Sequence, residues 1–195
     1  MKKFIAITGL LLLFVAKLWS QDTGANEEPV DFDADRYSFF REDSLNQYQI
    51  MAGNVIIKQG TSTFYADSAI YNRNTKIVEA FGNVRLNDKD SINIYSQYLH
   101  YRTDEKIATL KKSIRLTDGS SVLYTEELEY DLNQSLGTYL NGGRLENNGS
   151  VLTSKEATYY GELKDVYFKK NVVLTDPDYT LKTEALLYNT ETELA

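Results

Sequence analysis

Two sets of side chains carry chemistry at a regular spacing. Tyrosines recur at 71, 101, 130, 159 and 188, and arginines at 85, 115 and 144. Phenol hydroxyls and guanidinium groups at such intervals suit hydrogen bonding and anion contact along a surface. They do not suit a nucleophile. There is no cysteine, which removes thiolate catalysis, thiolate metal sites and disulfides together. His100 is the single histidine, with no counterpart at the same beat, so no serine–histidine–carboxylate set can be assembled. Glu126 and Glu127 are adjacent and would point to opposite faces of a strand, which spoils them as an acid–base pair. No metal set, cofactor motif or glycine-rich phosphate loop stands out, and the reading is non-enzymatic.

The tyrosines sit inside a repeat. YADSAIYN (65–72), YSQYLHYR (95–102), YTEELEYD (124–131), TSKEATYY (153–160) and KTEALLYN (182–189) align without gaps, each with tyrosine at its seventh position. A second element follows about a dozen residues later: FGNVRL (81–86), LKKSIRL (110–116), LNGGRL (140–145) and FKKNVVL (168–174). A period in this range marks stacked supersecondary units that share one core.

Within the units, apolar and polar residues alternate as in half-buried strands. Val84 and Leu86 oppose Arg85 and Asn87; Ile114 and Leu116 oppose Arg115 and Thr117. In 95–102 the same rule puts Tyr95, Gln97, Leu99 and Tyr101 on one face. Turn signals fall at Asn72-Arg73-Asn74, Asn87-Asp88, Asp118-Gly119, Asn147-Asn148-Gly149 and Asp176-Pro177-Asp178. The expected fold is one elongated all-β domain. Its interior is expected to hold Phe81, Leu110, Leu140 and Phe168 before each turn and Leu86, Leu116, Leu145 and Leu174 after it. The plain reading of these eight is a filled structural core.

The ends read differently from the repeats. Lys2 and Lys3 precede an almost wholly apolar run, Phe4 to Ala16, and residues 1–20 are expected to be a cleaved signal peptide. They hold three lysines and no acid, so removal takes the net charge from −7 to −10. An acidic exported protein is a poor partner for nucleic acid. Residues 21–31 read as an acidic flexible lead-in, and 32–195 as the repeat domain. Residues 189–195 align with the opening of a further unit, so the domain is expected to be truncated at its C-terminus, or to end in a raw edge used for pairing.

The repeats resemble the OstA-like family. The residues that carry the resemblance are Ala34-Asp35 and Ala66-Asp67, an aromatic four residues past each aspartate (Phe39, Tyr71), and Gly-Asn-Val at 53–55 and 82–84. Later repeats depart from the pattern, with Gly142-Gly143-Arg144 and Lys170-Asn171-Val172 in place of Gly-Asn-Val. The resemblance implies an antiparallel β-jelly roll with an open V-shaped cross-section. It implies a role in lipopolysaccharide transport to the outer membrane of a Gram-negative cell, in the periplasm or at the inner face of the outer membrane. The eight interior residues would then line a groove for lipid A acyl chains. The partners would be lipopolysaccharide, and other OstA-like jelly rolls or a second copy paired edge to edge. The rival expectation is a closed β-solenoid scaffold that binds no lipid. A membrane barrel fits poorly, because one parity stays polar throughout.

Overall fold

The alternating pattern becomes strand along almost the whole chain. A computed structural model describes residues 28–43 and 46–195, and no helix occurs among them. The first strands are β1 (Asp31–Asp33), β2 (Arg36–Arg41), β3 (Gln47–Gln59), β4 (Ser62–Asn72) and β5 (Ile77–Asp88). Next come β6 (Ile92–Arg102), β7 (Ile107–Thr117), β8 (Val122–Asp131), β9 (Leu136–Tyr139) and β10 (Gly143–Asn147). The last are β11 (Ser150–Ser154), β12 (Glu156–Tyr160), β13 (Asp165–Thr175) and β14 (Thr180–Asn189). All belong to one antiparallel sheet in which each long strand pairs with its neighbour in sequence. β9 and β10 together fill the place of one strand beside β8; β11 and β12 together fill the next, beside β13.

A flat sheet of this register is ruled out by contacts between its opposite margins. Gln59 ends β3, and Thr103 follows the far end of β6. Strands of this length would hold those ends roughly 30 Å apart. Yet the Gln59 amide donates to the Thr103 carbonyl at 3.0 Å. The sheet must therefore fold across its middle into two half-sheets.

The fold line is a row of bulges. The register slips by one residue between Ala52 and Val55, Phe81 and Val84, Lys111 and Ile114, and Lys169 and Val172. At each slip two consecutive residues take positive φ: Gly53-Asn54, Gly82-Asn83, Lys112-Ser113 and Lys170-Asn171. An extra residue bends a strand and sharpens its twist, and a row of them turns the whole sheet. Asparagine tolerates the left-handed region better than most side chains, which suits Asn54, Asn83 and Asn171. Lysine occupies the same conformation at Lys112 and Lys170, so Lys170-Asn171-Val172 keeps the corner geometry; at Gly142-Gly143-Arg144 only Gly142 takes positive φ, and the strand is interrupted there.

The two motifs behind the family resemblance meet at this line. Asp35 Oδ2 accepts a 2.9 Å hydrogen bond from the Asn54 amide, and Asp67 Oδ2 one of 2.9 Å from Asn83. A Cβ on Gly82 would lie 2.4 Å from Asp67 Oδ2, so the carboxylate occupies the space that glycine leaves.

The fold is thus all-β, antiparallel and repeat-built, with the half-sheets as arms of a V. It is not a closed barrel. Among the described residues no backbone ladder crosses the mouth, where the two arms' outer ends meet. Among the described residues β14 forms a backbone ladder with β13 alone, and Leu181 and Leu187 are exposed on it. The segment expected as a signal peptide lies outside the described residues, as does 21–27 of the lead-in. From Glu28 the chain is tied down. Glu28 pairs with Lys106 at 2.9 Å, Val30 packs on the core, and Asp31 opens β1.

Candidate functional site

The space between the half-sheets is one apolar interior, continuous from Met51 to Tyr188. Six of the eight predicted residues lie in it. Leu86, Leu110, Leu145 and Phe168 have no exposure, and Leu116 and Leu174 have 1%. Phe81 and Leu140 do not. They are 38% and 59% exposed on the outer surface. The bulge is the reason. In the bulged strands the inward residues on either side of the corner are four apart: Ala80 and Val84, Leu110 and Ile114, Phe168 and Val172. FGNVRL is one residue shorter than LKKSIRL, so matching their first letters put Phe81 where Ala80 belongs. In the same way Tyr139, not Leu140, takes the inward place in its repeat. Its ring lies where a Cβ on Gly143 would fall, 2.4 Å away, and its hydroxyl meets Ser154 Oγ at 2.7 Å.

The strands between the bulged ones behave oppositely. Their inward residues are three apart across the corner, Ala66 and Ala69, Ser96 and Leu99, Thr125 and Leu128. The alternation therefore inverts halfway along. Tyr95, expected on the face of Leu99 and Tyr101, points outward instead.

The mouth is closed by the repeat tyrosines. Tyr101 donates to Gln59 Oε1, Tyr130 to Asp88 Oδ2 at 2.8 Å, and Tyr159 to Asp118 Oδ2 at 2.9 Å. Each bond joins strand ends three places apart in the sheet. Asn147 holds the fourth position, its amide donating to the Thr190 carbonyl at 2.7 Å. Asp88 is fully buried and also accepts from Ser62 Oγ at 2.7 Å and Ser135 Oγ at 3.1 Å. A buried carboxylate persists only with such a set of donors.

Electrostatics keeps the seam in its donating form. Burial, reinforced by the Asp88 charge, pushes the Tyr130 hydroxyl far above its usual range. Burial and then the Asp118 charge do the same for Tyr159. Burial would raise Asp118 too. It is outweighed by hydrogen bonds from the Ser121 N–H, the Ser120 hydroxyl and N–H, and Tyr159, which together hold the carboxyl down to about 2.

Of the four seam residues Gln59, Asp88, Asp118 and Asn147, sequence marked the last three only as turn residues and did not single out Gln59. They recur every 29 or 30 positions, and that column of polar residues was the signal available. Elsewhere, His100 faces outward among strand-face residues. Among the described residues no group of three or more histidines and acids is placed to hold a metal ion.

The geometry defines a class first: a repeat-built β scaffold whose sheet folds over an apolar interior and is latched along one side. The chain belongs to the OstA-like family, whose model matches residues 33–184. No curated protein matched it. Among solved structures it is similar to LptH of Pseudomonas aeruginosa, titled the LptA-homologous periplasmic component of the lipopolysaccharide transport device. The identity is 15%, over 83% of this chain and 94% of that one, with a TM-score of 0.30.

Proposed function

We propose that the protein is a non-enzymatic component of lipopolysaccharide transport, a periplasmic bridge that holds lipid A acyl chains between its half-sheets. The observation that carries this reading is the single apolar interior that runs through every long strand of an OstA-like chain. Each methylene buried there contributes about 0.8 kcal/mol, so a few acyl chains bind without any charged contact. Chains enter as the mouth parts, because the interior residues are fully covered while the tyrosine seam is made. Leu86, Leu110, Leu116, Leu145, Phe168 and Leu174 then line the groove. The free edge of β14 extends the sheet by pairing with another OstA-like protein or a second copy. Residues 1–20 serve as the export signal.

A closed scaffold is the second reading. The packed interior and the buried seam favour it. One experiment separates the two. A photoreactive residue at Leu86, Leu116 or Leu174 should capture lipopolysaccharide in Gram-negative cells, and the same probe at Phe81 or Leu140 should capture far less. Capture at neither set, or only at Phe81 and Leu140, would leave the scaffold.

A further inference from the structure

The outer faces of the two half-sheets differ in kind. On the arm that carries the Gln59 and Asp88 ends, direct cross-strand partners read Tyr65, Arg85, Tyr95, Arg115, Tyr124, Arg144. The neighbouring row reads Thr63, Asn87, Asn93, Thr117, Val122, Glu146. From β4 to β8 these two rows hold no carboxylate, in a chain of net charge −7. The other arm's outer face carries Glu79, Glu127, Glu129 and Asp131.

The arginines are set against the rings. The Arg85 guanidinium lies 5.4 Å from the Tyr65 centroid and 5.9 Å from that of Tyr95; Arg115 lies 4.3 Å from Tyr95. Arg85 also donates to Asn93 Oδ1 at 2.9 and 3.2 Å, and Arg144 pairs with Glu146. Arg115 has no carboxylate partner in the row. Beside Tyr95, Arg115 and Tyr124 opens a hollow of about 630 Å³, lined also by Ser113, Glu126 and Gly142 and by the corner residues Ile114 and Thr125, whose side chains are buried. A Cβ at Gly142 would meet nothing within 4 Å, so that side is open. Glu126 stands at the rim, its carboxylate accepting the Ser113 N–H at 3.1 Å.

We propose that this face binds an acidic polysaccharide that runs across the strands, its sugar rings on the tyrosines and its carboxylates on the arginines. Successive arginines are two strands apart, roughly 10 Å, which is near the length of a disaccharide. A polymer of acidic sugars would thus set one acid over each arginine and a ring over each tyrosine between, with the intervening acids left to solvent. A guanidinium that lies over a ring keeps N–H edges for two-point contact with a carboxylate. The threonines and asparagines of the second row supply partners for sugar hydroxyls. The proposal stands apart from the acyl-chain reading, since the face is outside the interior.

The test is titration calorimetry with oligogalacturonate, with dextran as the neutral control and phosphatidylglycerol vesicles as a separate arm. Oligogalacturonate should bind, more weakly as salt rises, and dextran should not. Arg115→Gln should weaken binding about tenfold, the loss of one charge-assisted contact. Lys111→Gln, on the other arm, should not. Melting curves establish that both variants fold. No binding of oligogalacturonate, equal binding by Arg115→Gln, or binding to the vesicles alone would overturn the proposal; the last would point to a membrane surface.

Discussion

At the corner the strands themselves run from one half-sheet into the other, and left-handed residue pairs set the bend. At the mouth the crossing bonds each use a side chain: tyrosine to aspartate or glutamine, and the Gln59 and Asn147 amides to backbone carbonyls. The corner can open only if the backbone unfolds. The mouth can open by breaking a few hydrogen bonds, each worth roughly 1.5–3 kcal/mol where a charge takes part. Under the proposed acyl-chain reading, a sheet joined so unequally along its two sides would hinge at one and part at the other.

The largest expected effect lies between the two edges. Leu116→Asp puts an unpaired carboxylate in the shared interior and should cost several kcal/mol, whereas Arg115→Asp on the outer face should stay within about 0.5. Thermal unfolding of the two variants measures this. Equal losses would mean that the interior is not the element that holds the arms together.

The comparison of the edges is sharpened by a pair of variants. Tyr130→Phe removes a donor from buried Asp88 and should cost about 2 kcal/mol. Gly82→Ala forces a Cβ onto a left-handed residue against Asp67 and should cost on the order of 1–2 kcal/mol. Similar in stability, they should differ in access. Hydrogen exchange at Leu132 and Thr103, beside the mouth, should speed up more in Tyr130→Phe than global destabilisation explains. In Gly82→Ala it should follow the global change. The same response from both variants would erase the distinction between hinge and seam.

A smaller effect follows from acid. The Asp118 carboxyl is held down to about 2 in the folded protein, below its unfolded value of 3.8. Its contribution is therefore complete above pH 4 and is lost as pH falls from about 4 to 2, on the order of 2 kcal/mol in all. Asp118→Asn should flatten the stability curve in that window and leave it unchanged in shape above pH 5. An unaltered acid limb would show that Asp118 is not a paired seam residue.

Much of the interior was legible in the chain. Leu86, Leu116, Leu145 and Leu174 alternate with polar residues, and that alternation is a property of strands alone. Phe81 and Leu140 were misplaced by one residue, because a bulge adds a residue to one strand and none to its partner. Gly82-Asn83 hints at that geometry; Lys112-Ser113 adopts it with no glycine to give notice. The outward turn of Tyr95 follows from the same extra residue on the neighbouring strands, which sequence periodicity counts but cannot locate.

The strand pattern, the period and the identity of most inward leucines were set by local chemistry, since apolar side chains at every second position need one dry face wherever the strand goes. The joining of Tyr130 to Asp88 and of Tyr159 to Asp118 was not. Those partners are about 40 residues apart and three strands removed, and they meet only because each corner bends the sheet through enough angle to bring its far margins together. That angle is a sum over a row of bulges held in register by backbone hydrogen bonds, so it belongs to the assembled sheet rather than to any stretch of the chain.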